Sequence, residues 1–329
     1  MIRWRALIIG AVISGVCLYL LLSRVDLGLT WRALQQADPM WLLACFGTLV
    51  VALLGRCWRW QLLFLPADRV SFVGAVSSTL IGYMFNTVLP GRVGELARAA
   101  LIARTDHVKV ARALGTILVE KILDVMTLLV IFALLTVIVP LPPWIVAAGT
   151  TGAIVFGGAT VVLGALMVTR RRFVAWLEAN VDPLPILRRL KPSQVAEAVL
   201  NSANGLREPR MLALQVVLSA LMWGVALLTV VTVLKAFRLD VPLAAAALVL
   251  VTTNLGMTVP SAPGYVGVYH AIAVGTLAVF GVAESEALGV AIALHALAFG
   301  SFTIFGALFL LEGTSTRRYE MSDLWSTRR

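Results

Sequence analysis

Apolar residues in this chain come in long runs separated by short charged patches. A helix needs about 20 apolar residues to cross a bilayer, and six runs come close to that length, at roughly 6–23, 39–55, 113–139, 144–169, 211–234 and 286–311. Two more stretches, 71–103 and 243–280, are as apolar but break in the middle, at Pro90-Gly91 and at Pro260-Ser-Ala-Pro263-Gly264. Each is either a full span followed by a short helix or a re-entrant hairpin that enters and leaves by one face. Composition agrees with a membrane protein: 60% of the 329 residues are hydrophobic and 13% are charged, about half the charged fraction of soluble domains. The start, MIRWR followed by an apolar run, resembles a secretory signal. It lacks a small-x-small cleavage site before Arg24 and reads as a retained first span.

Charge separates the two topologies. With the N-terminus inside and both broken stretches as hairpins, the inside segments carry twenty of the 27 Lys and Arg residues. The outside loops carry four (Arg24, Arg32, Lys235 and Arg238), and three lie in the membrane (Arg92, Arg98 and Lys121). That bias is what the positive-inside rule asks for. The full-span alternative puts Arg104, Lys109 and Arg112 outside, or requires 93–103 to cross alone, and that segment rises only ~17 Å against a core of about 30 Å. The expectation is an all-α polytopic membrane protein with about six full spans plus two opposed re-entrant hairpins, 71–103 and 243–280. These eight hydrophobic segments form one bundle over 1–312. An amphipathic cytoplasmic connector at 170–210 is expected at the lipid surface, and a basic cytoplasmic tail at 313–329. The two breaks share P-G-x-V-G, Pro90–Gly94 and Pro263–Gly267. With opposite entering faces this points to an inverted repeat, an architecture of secondary transporters that bind near the midplane. Pro-Gly is also a common way to break any membrane helix, so the motif alone leaves both readings open.

The formal net charge of +10 invites a nucleic-acid reading. The basic residues flank apolar spans, which assigns them to topology and to anionic lipids at the cytoplasmic face, with no nucleic-acid partner. Cys17, Cys45 and Cys57 form no CxxC pair and read as small core residues, with no metal and no cofactor implied.

Six ionisable residues fall inside the expected membrane core: Arg92, Glu95, Arg98, Glu120, Lys121 and Asp124. Unpaired, they would oppose folding by about 15–20 kcal/mol, so they must pair or meet water. If 93–103 runs toward the cytoplasm and 113–124 runs back at about 1.5 Å per residue, Arg92 shares a depth with Asp124, Glu95 with Lys121, and Arg98 lies near Glu120. The reading is a charge ladder of zero net charge lining a polar cavity open to the cytoplasm; a purely structural ion-pair network competes with it. A half-helix starting at Pro90-Gly91 aims its amides, with Arg92 beside them, at the membrane centre, which suits an anion such as a lipid phosphate. Glu120 and Asp124, four apart on one face, could release and recapture an arginine, and Asn86 adds an uncharged polar group. In the second broken stretch, Thr252, Thr253, Asn254, Thr258 and Ser261 bring hydrogen-bonding groups toward the break, followed by Tyr265, Tyr269 and His270. Ser261 is expected to cap the second half-helix, and His270 to carry a proton, contact a headgroup or bond a neighbour; His295, in the last span, is a weaker candidate. No H-E-x-x-H, G-x-S-x-G or Walker P-loop is present, so no enzyme is expected.

Asn86-x3-Pro90-Gly-Arg92-x-Gly94-Glu95-x2-Arg98, then Glu120-Lys121-x2-Asp124, then Pro260-x2-Pro263-Gly264-x2-Gly267, resemble the flippase-like membrane family: the transmembrane region of lysylphosphatidylglycerol synthases and their stand-alone relatives. The resemblance covers about 5–312 and implies a polytopic lipid translocator with functional positions at Asn86, Pro90, Arg92, Glu95, Arg98, Glu120, Asp124, Pro263 and Gly264. Lys121 stands where that family often has arginine, and His270 where it often has glutamate. The aminoacyl-transferase domain of the synthases has no counterpart in these residues. The expected function is a lipid flippase or scramblase that moves an anionic, phosphate-bearing lipid or lipid-linked carrier between leaflets through a charged midplane cavity. Its expected location is the bacterial inner (plasma) membrane, multi-pass with both termini cytoplasmic, with room for a homo-oligomer. The alternative is an integral membrane enzyme or accessory subunit acting on lipid-linked substrates. The expected substrate-binding residues are Asn86, Arg92, Glu95, Arg98, Glu120, Lys121, Asp124, Ser261, Tyr265 and His270. The hairpin breaks are Pro90, Gly91, Gly94, Pro260, Pro263, Gly264 and Gly267.

Overall fold

The computed structural model describes residues 2–89, 93–183, 191–258 and 261–315, and among these every regular element is helical. Pro90, Gly91, Arg92, Pro260 and nearly all of the 313–329 tail therefore lie outside the described residues. Five helices are long and apolar enough to cross a membrane: α3 (Pro39–Leu62), α6 (Val110–Ile138), α7 (Pro143–Val168), α10 (Pro209–Ala236) and the run Glu284–Gly313. That last run is α13 (Glu284–His295) and α14 (Ser301–Ser315) joined by a π-turn at Ala296–Gly300. α1 (Ile2–Leu22) bends by 86° into the short α2 (Leu27–Gln36), and this pair, taken as one broken span, brings the candidate spans to six. α2 was not expected from the apolar runs because it is amphipathic. Its start is capped by Asp26 Oδ1, which accepts from Gly28 N at 2.7 Å and Leu29 N at 3.1 Å. α3 is capped in the same way by Asp38 with Pro39 at its first position. It then runs past the expected end at 55 to Leu62, so Arg56 and Arg59, expected in a loop, belong to the helix. An apolar-run criterion stops at the first charge, whereas the helix continues because those charges find partners inside the bundle.

Both broken stretches form helical hairpins. In the first, α4 (Phe72–Val88) and α5 (Gly94–Thr105) pack antiparallel, and their outer ends are clasped where Ser71 N donates to Asp106 Oδ1 at 2.6 Å. In the second, α11 (Leu243–Gly256) packs on α12 (Val268–Ala278), with the Thr252 and Thr276 hydroxyls 2.9 Å apart. The long helix fixes their directions. Its start lies beside α2, where Asp26 N donates to Ser285 Oγ at 3.0 Å, a few residues after the end of α12. Its far half runs antiparallel to α4, with the Phe302 and Tyr83 rings 5.5 Å apart and Gly306 against Leu80. The two hairpins thus enter from opposite ends of the bundle. The second break meets the end of α4: a Cβ on Gly264 would sit 3.5 Å from Thr87 O. α1 holds the second break, since Ala262 N donates to Ser14 Oγ at 2.8 Å, and Ser14 lies about 12 Å along α1 from its end at Leu22.

The packed pairs have the pattern an inverted repeat requires. α3 packs on α4 as α10 does on α11; α4 packs on α14 as α11 does on α6; α5 meets α6 as α12 meets α13; and α3 and α10 pack on each other. Exchanging α3–α6 for α10–α14 leaves this set unchanged. Between apolar helices in lipid no hydrophobic force favours association, so close approach of small residues carries the packing. Ala99, Ala113, Ala245 and Ala287, on these helices, are fully buried. The second half of the 170–210 connector packs on the bundle. α8 (Arg170–Asn180) and α9 (Pro192–Asn201) pack together, and the end of α9 seats on the start of α6. There Ser202 Oγ donates to Arg112 O at 3.1 Å and Arg112 Nη1 donates to Asn201 O at 2.8 Å. The end of the bundle that carries this connector and the Arg69–Arg112 loops is called the basic face below.

Candidate functional site

The tip of the first hairpin is built by two glycines and an asparagine. Asn86 Oδ1 accepts from Gly94 N at 2.8 Å and so occupies the first amide of α5. A Cβ on Gly94 would overlap Gly82 O and the Asn86 side chain, so this crossing tolerates only glycine. The close approach brings Arg98, one turn along α5, across Gly82 toward α3 and α6.

There Arg98 forms a bidentate pair with Glu120, Nη1 to Oε1 at 3.3 Å and Nη2 to Oε2 at 2.9 Å. Its guanidinium lies 3.7 Å from the centroid of the Trp60 ring, and Trp60 Nε1 in turn donates to Thr116 Oγ1 at 3.1 Å. One turn further along α6, Asp124 Oδ1 accepts from Arg59 Nη2 at 2.6 Å and from Trp223 Nε1 at 3.3 Å. Arg59 Nη1 donates to Ser219 Oγ at 2.5 Å, which ties α10 to the same cluster. Arg56 stands 3.7 Å from Asp124 Oδ2. On the neighbouring face of α6, Lys121 Nζ is 3.0 Å from Glu95 Oε1. Planar guanidinium forks and aromatic faces suit low-dielectric pairing better than ammonium groups do, which fits arginine at the sealed positions and lysine at the open one.

Accessibility divides the cluster. Arg98 and Glu120 expose 1% and 0% of their side chains, so they do not line an open cavity, and the expectation that every rung does so is corrected. Lys121 and Glu95 expose 41% and 26% and can meet a ligand. The charges do not cancel either: Arg56, Arg59, Arg98 and Lys121 face Glu95, Glu120 and Asp124, and Arg92 is a further basic residue just before α5 in sequence.

The second break is polar without such charge. Gly264 (φ 70°), Tyr265 (φ 58°) and Gly267 (φ 87°) take left-handed conformations, which explains both glycines of the P-G-x-V-G segment there. His295 Nε2 lies 2.7 Å from Gly264 O, and the His270 and His295 rings are 4.9 Å apart. Ser261 does not cap α12. Gly267 holds the N-cap position with no side-chain bond, because the 3₁₀ turn Pro263–Tyr265 separates Ser261 from the helix.

One family model matches residues 7–306, which takes in both hairpins and all or most of each span. The chain belongs to the lysylphosphatidylglycerol synthase transmembrane-region family. Searches of curated proteins and of solved structures returned no match. Of the site residues expected in this family member, the structure gathers Glu95, Arg98, Glu120, Lys121 and Asp124 into one cluster and sets Asn86 at the hairpin tip beside it. Tyr265 and His270 stand apart in the second hairpin, against α13 and the π-turn. The pairings Arg98–Glu120 and Glu95–Lys121 follow the depth argument. The expected Arg92–Asp124 pairing falls outside the described residues with Arg92, and the described partners of Asp124 are Arg59 and Arg56. Sequence reasoning missed Arg56, Arg59, Trp60, Tyr83, Ser219 and Trp223. The available signal was Arg56-Cys-Trp-Arg59-Trp60, two arginines at helical spacing among tryptophans at the end of an apolar run.

Proposed function

We propose that this family member moves an anionic, phosphate-bearing lipid or lipid-linked carrier between the leaflets of the bacterial inner membrane, with its basic face toward the cytoplasm. The observation that carries this reading is the excess of positive charge beside the first hairpin, in a bundle where two opposed hairpins meet, the end of α4 against Gly264. A cation without a counter-charge costs about 2.5–3.5 kcal/mol near mid-bilayer, and a lipid phosphate is the acceptor that a membrane supplies. The exposed Glu95–Lys121 pair can exchange: a phosphate takes Lys121 while Glu95 turns to water, and the pair re-forms on release. The sealed Arg98–Glu120 and Arg59–Asp124 pairs hold the hairpin and spans in register while this happens. The positive-inside bias supports the orientation, and the absence of a nucleotide-binding motif from the sequence supports passive or gradient-driven movement.

The test is reconstitution into liposomes containing phosphatidylglycerol labelled with a fluorophore that membrane-impermeant dithionite bleaches. Wild-type protein is expected to bring inner-leaflet label into reach of the quencher, and Lys121→Gln to lose that activity while still inserting. Bleaching confined to the outer leaflet in wild-type vesicles would overturn the reading. Conversion of the labelled lipid to a new species without movement would favour an enzyme on lipid-linked substrates instead.

A further inference from the structure

Arg56 differs from the other arginines of the cluster. Arg59 donates to Asp124 and Ser219, and Arg98 donates twice to Glu120. Arg56 makes no hydrogen bond among the described residues. Its ionic partner there is Asp124 Oδ2 at 3.7 Å, on a carboxylate already engaged by Arg59 and Trp223. A guanidinium carries five N–H donors and no acceptor, and this one lies over the Trp223 ring, 5.1 Å from its centroid, with 19% of the side chain exposed. A second unbonded group faces the same region. The half-buried Tyr83 of α4 is an electrostatic neighbour of Arg56, Arg98 and Lys121. Its hydroxyl makes no hydrogen bond among the described residues, while its ring rests on Phe302. Arg56 meets α6 at Asp124, one turn from Lys121, and Tyr83 on α4 is an electrostatic neighbour of both, so an unbonded guanidinium, an unbonded phenol and an accessible ammonium belong to one region. Buried or half-buried polar groups in a membrane protein are ordinarily satisfied.

We propose that Arg56 and Tyr83, with Lys121, form the seat of a phosphate group, an assignment that rests on the translocation reading only for the ligand being a lipid. A phosphate offers enough oxygens to take a bidentate arginine fork, a phenol O–H and an ammonium at once. The Trp223 face below Arg56 holds the guanidinium in place while the seat is empty.

The test titrates the purified full chain in detergent with dihexanoyl-phosphatidylglycerol, inorganic phosphate and dihexanoylglycerol, followed by calorimetry. The two phosphate-bearing probes are expected to bind and to compete, and the phosphate-free diglyceride to leave the signal unchanged. Tighter binding of the phospholipid assigns the seat to a lipid headgroup, and equal binding of inorganic phosphate assigns it to the free anion. Arg56→Gln is expected to weaken binding about 10- to 100-fold, the range for hydrogen bonds to a charged group, and Tyr83→Phe about 3- to 10-fold, the range for an ordinary one. Failure of wild-type protein to bind either phosphate probe, or unchanged affinity in Tyr83→Phe or in folded Arg56→Gln, overturns the seat. If Arg56→Gln does not fold, Tyr83→Phe decides. Weakened binding in the variants alongside a wild-type protein that moves no lipid would sink translocation and leave the seat standing. Normal lipid movement with unaltered affinity in both variants would sink the seat alone.

Discussion

Glu120→Gln isolates the buried ion pair at the first hairpin. The substitution keeps the shape of the side chain and one acceptor oxygen but removes the counter-charge from Arg98, which is 1% exposed and whose Nε already lacks a partner. No neighbour can replace that charge, because Glu95 is held by Lys121 and Asp124 by Arg59. Removing one partner of a buried pair costs about 3–5 kcal/mol, whereas replacing both by apolar residues is neutral or stabilising. Glu120→Gln should therefore lose about 3–5 kcal/mol of unfolding free energy, and Arg98→Met with Glu120→Leu should recover most of it. Reversible unfolding in mixed micelles, followed by circular dichroism as the denaturing detergent is raised, measures both. A single variant that unfolds with wild-type midpoint would refute the reasoning, since Arg98 would then be shown to find its counter-charge elsewhere. Dithionite bleaching of the double variant separates structural from transport roles: restored stability without lipid movement assigns the pair to transport, and restoration of both assigns it to the scaffold.

Other substitutions test the remaining parts. Lys121→Gln breaks a partly exposed pair and should cost only about 0–1 kcal/mol by the same unfolding measurement, while lipid movement falls toward the rate of empty vesicles. Gly94→Ala drives a Cβ into Gly82 O and the Asn86 amide and should cost about 1–3 kcal/mol, with loss of lipid movement because Arg98 is carried away from Glu120. Gly267→Ala faces both a φ of 87° and the Ser14 carbonyl, so it should destabilise by at least about 1–2 kcal/mol. Asp124→Asn leaves Arg59 and Arg56 without a carboxylate and should destabilise on the scale of Glu120→Gln, about 3–5 kcal/mol, read from the unfolding midpoint.

The spans and both hairpins were legible because run length and the distribution of Lys and Arg report membrane crossing directly. Two of the three ion pairs were legible because α5 and α6 are consecutive antiparallel helices, for which residue count converts to depth. Asp124 was not, since its partners come from α3 and α10, remote in sequence, and nothing in local spacing reports how α3 and α10 pack on each other. Arg56 and Arg59 were hidden for the opposite reason: charge at the end of an apolar run looks like a loop, and only the bundle shows a helix that carries it inward. Ser261 failed as a cap because hydroxyl spacing from a Pro-Gly break does not reveal an intervening 3₁₀ turn. The shared P-G-x-V-G segment likewise conceals different duties at its last position, where Gly94 admits a close backbone crossing and Gly267 supplies a left-handed turn.

The inverted pattern makes the chemical asymmetry of the halves informative. The exchange that maps α5 and α6 onto α12 and α13 places the Arg98–Glu120 contact opposite the contact between His270 and His295. The two hairpins therefore present different surfaces on corresponding helix pairs. α11 and α12 contain no Lys, Arg, Asp or Glu at all, whereas α5 and the facing half of α6 carry the ion pairs. Two equally cationic halves would hold an anion with no preferred direction of release and would double the cost of charge in the membrane. On the translocation reading proposed above, one cationic half would attract the headgroup, and a second half lined by threonines, tyrosines and imidazoles would offer hydrogen bonds without a fixed positive charge, from which the anion could leave. The meeting of Thr87 with Gly264 puts the boundary between these environments where the end of α4 touches the second break. There the tie from His295 to Gly264 joins the second tip to the long helix beside its π-turn, the one irregular segment in a span that reaches both hairpins.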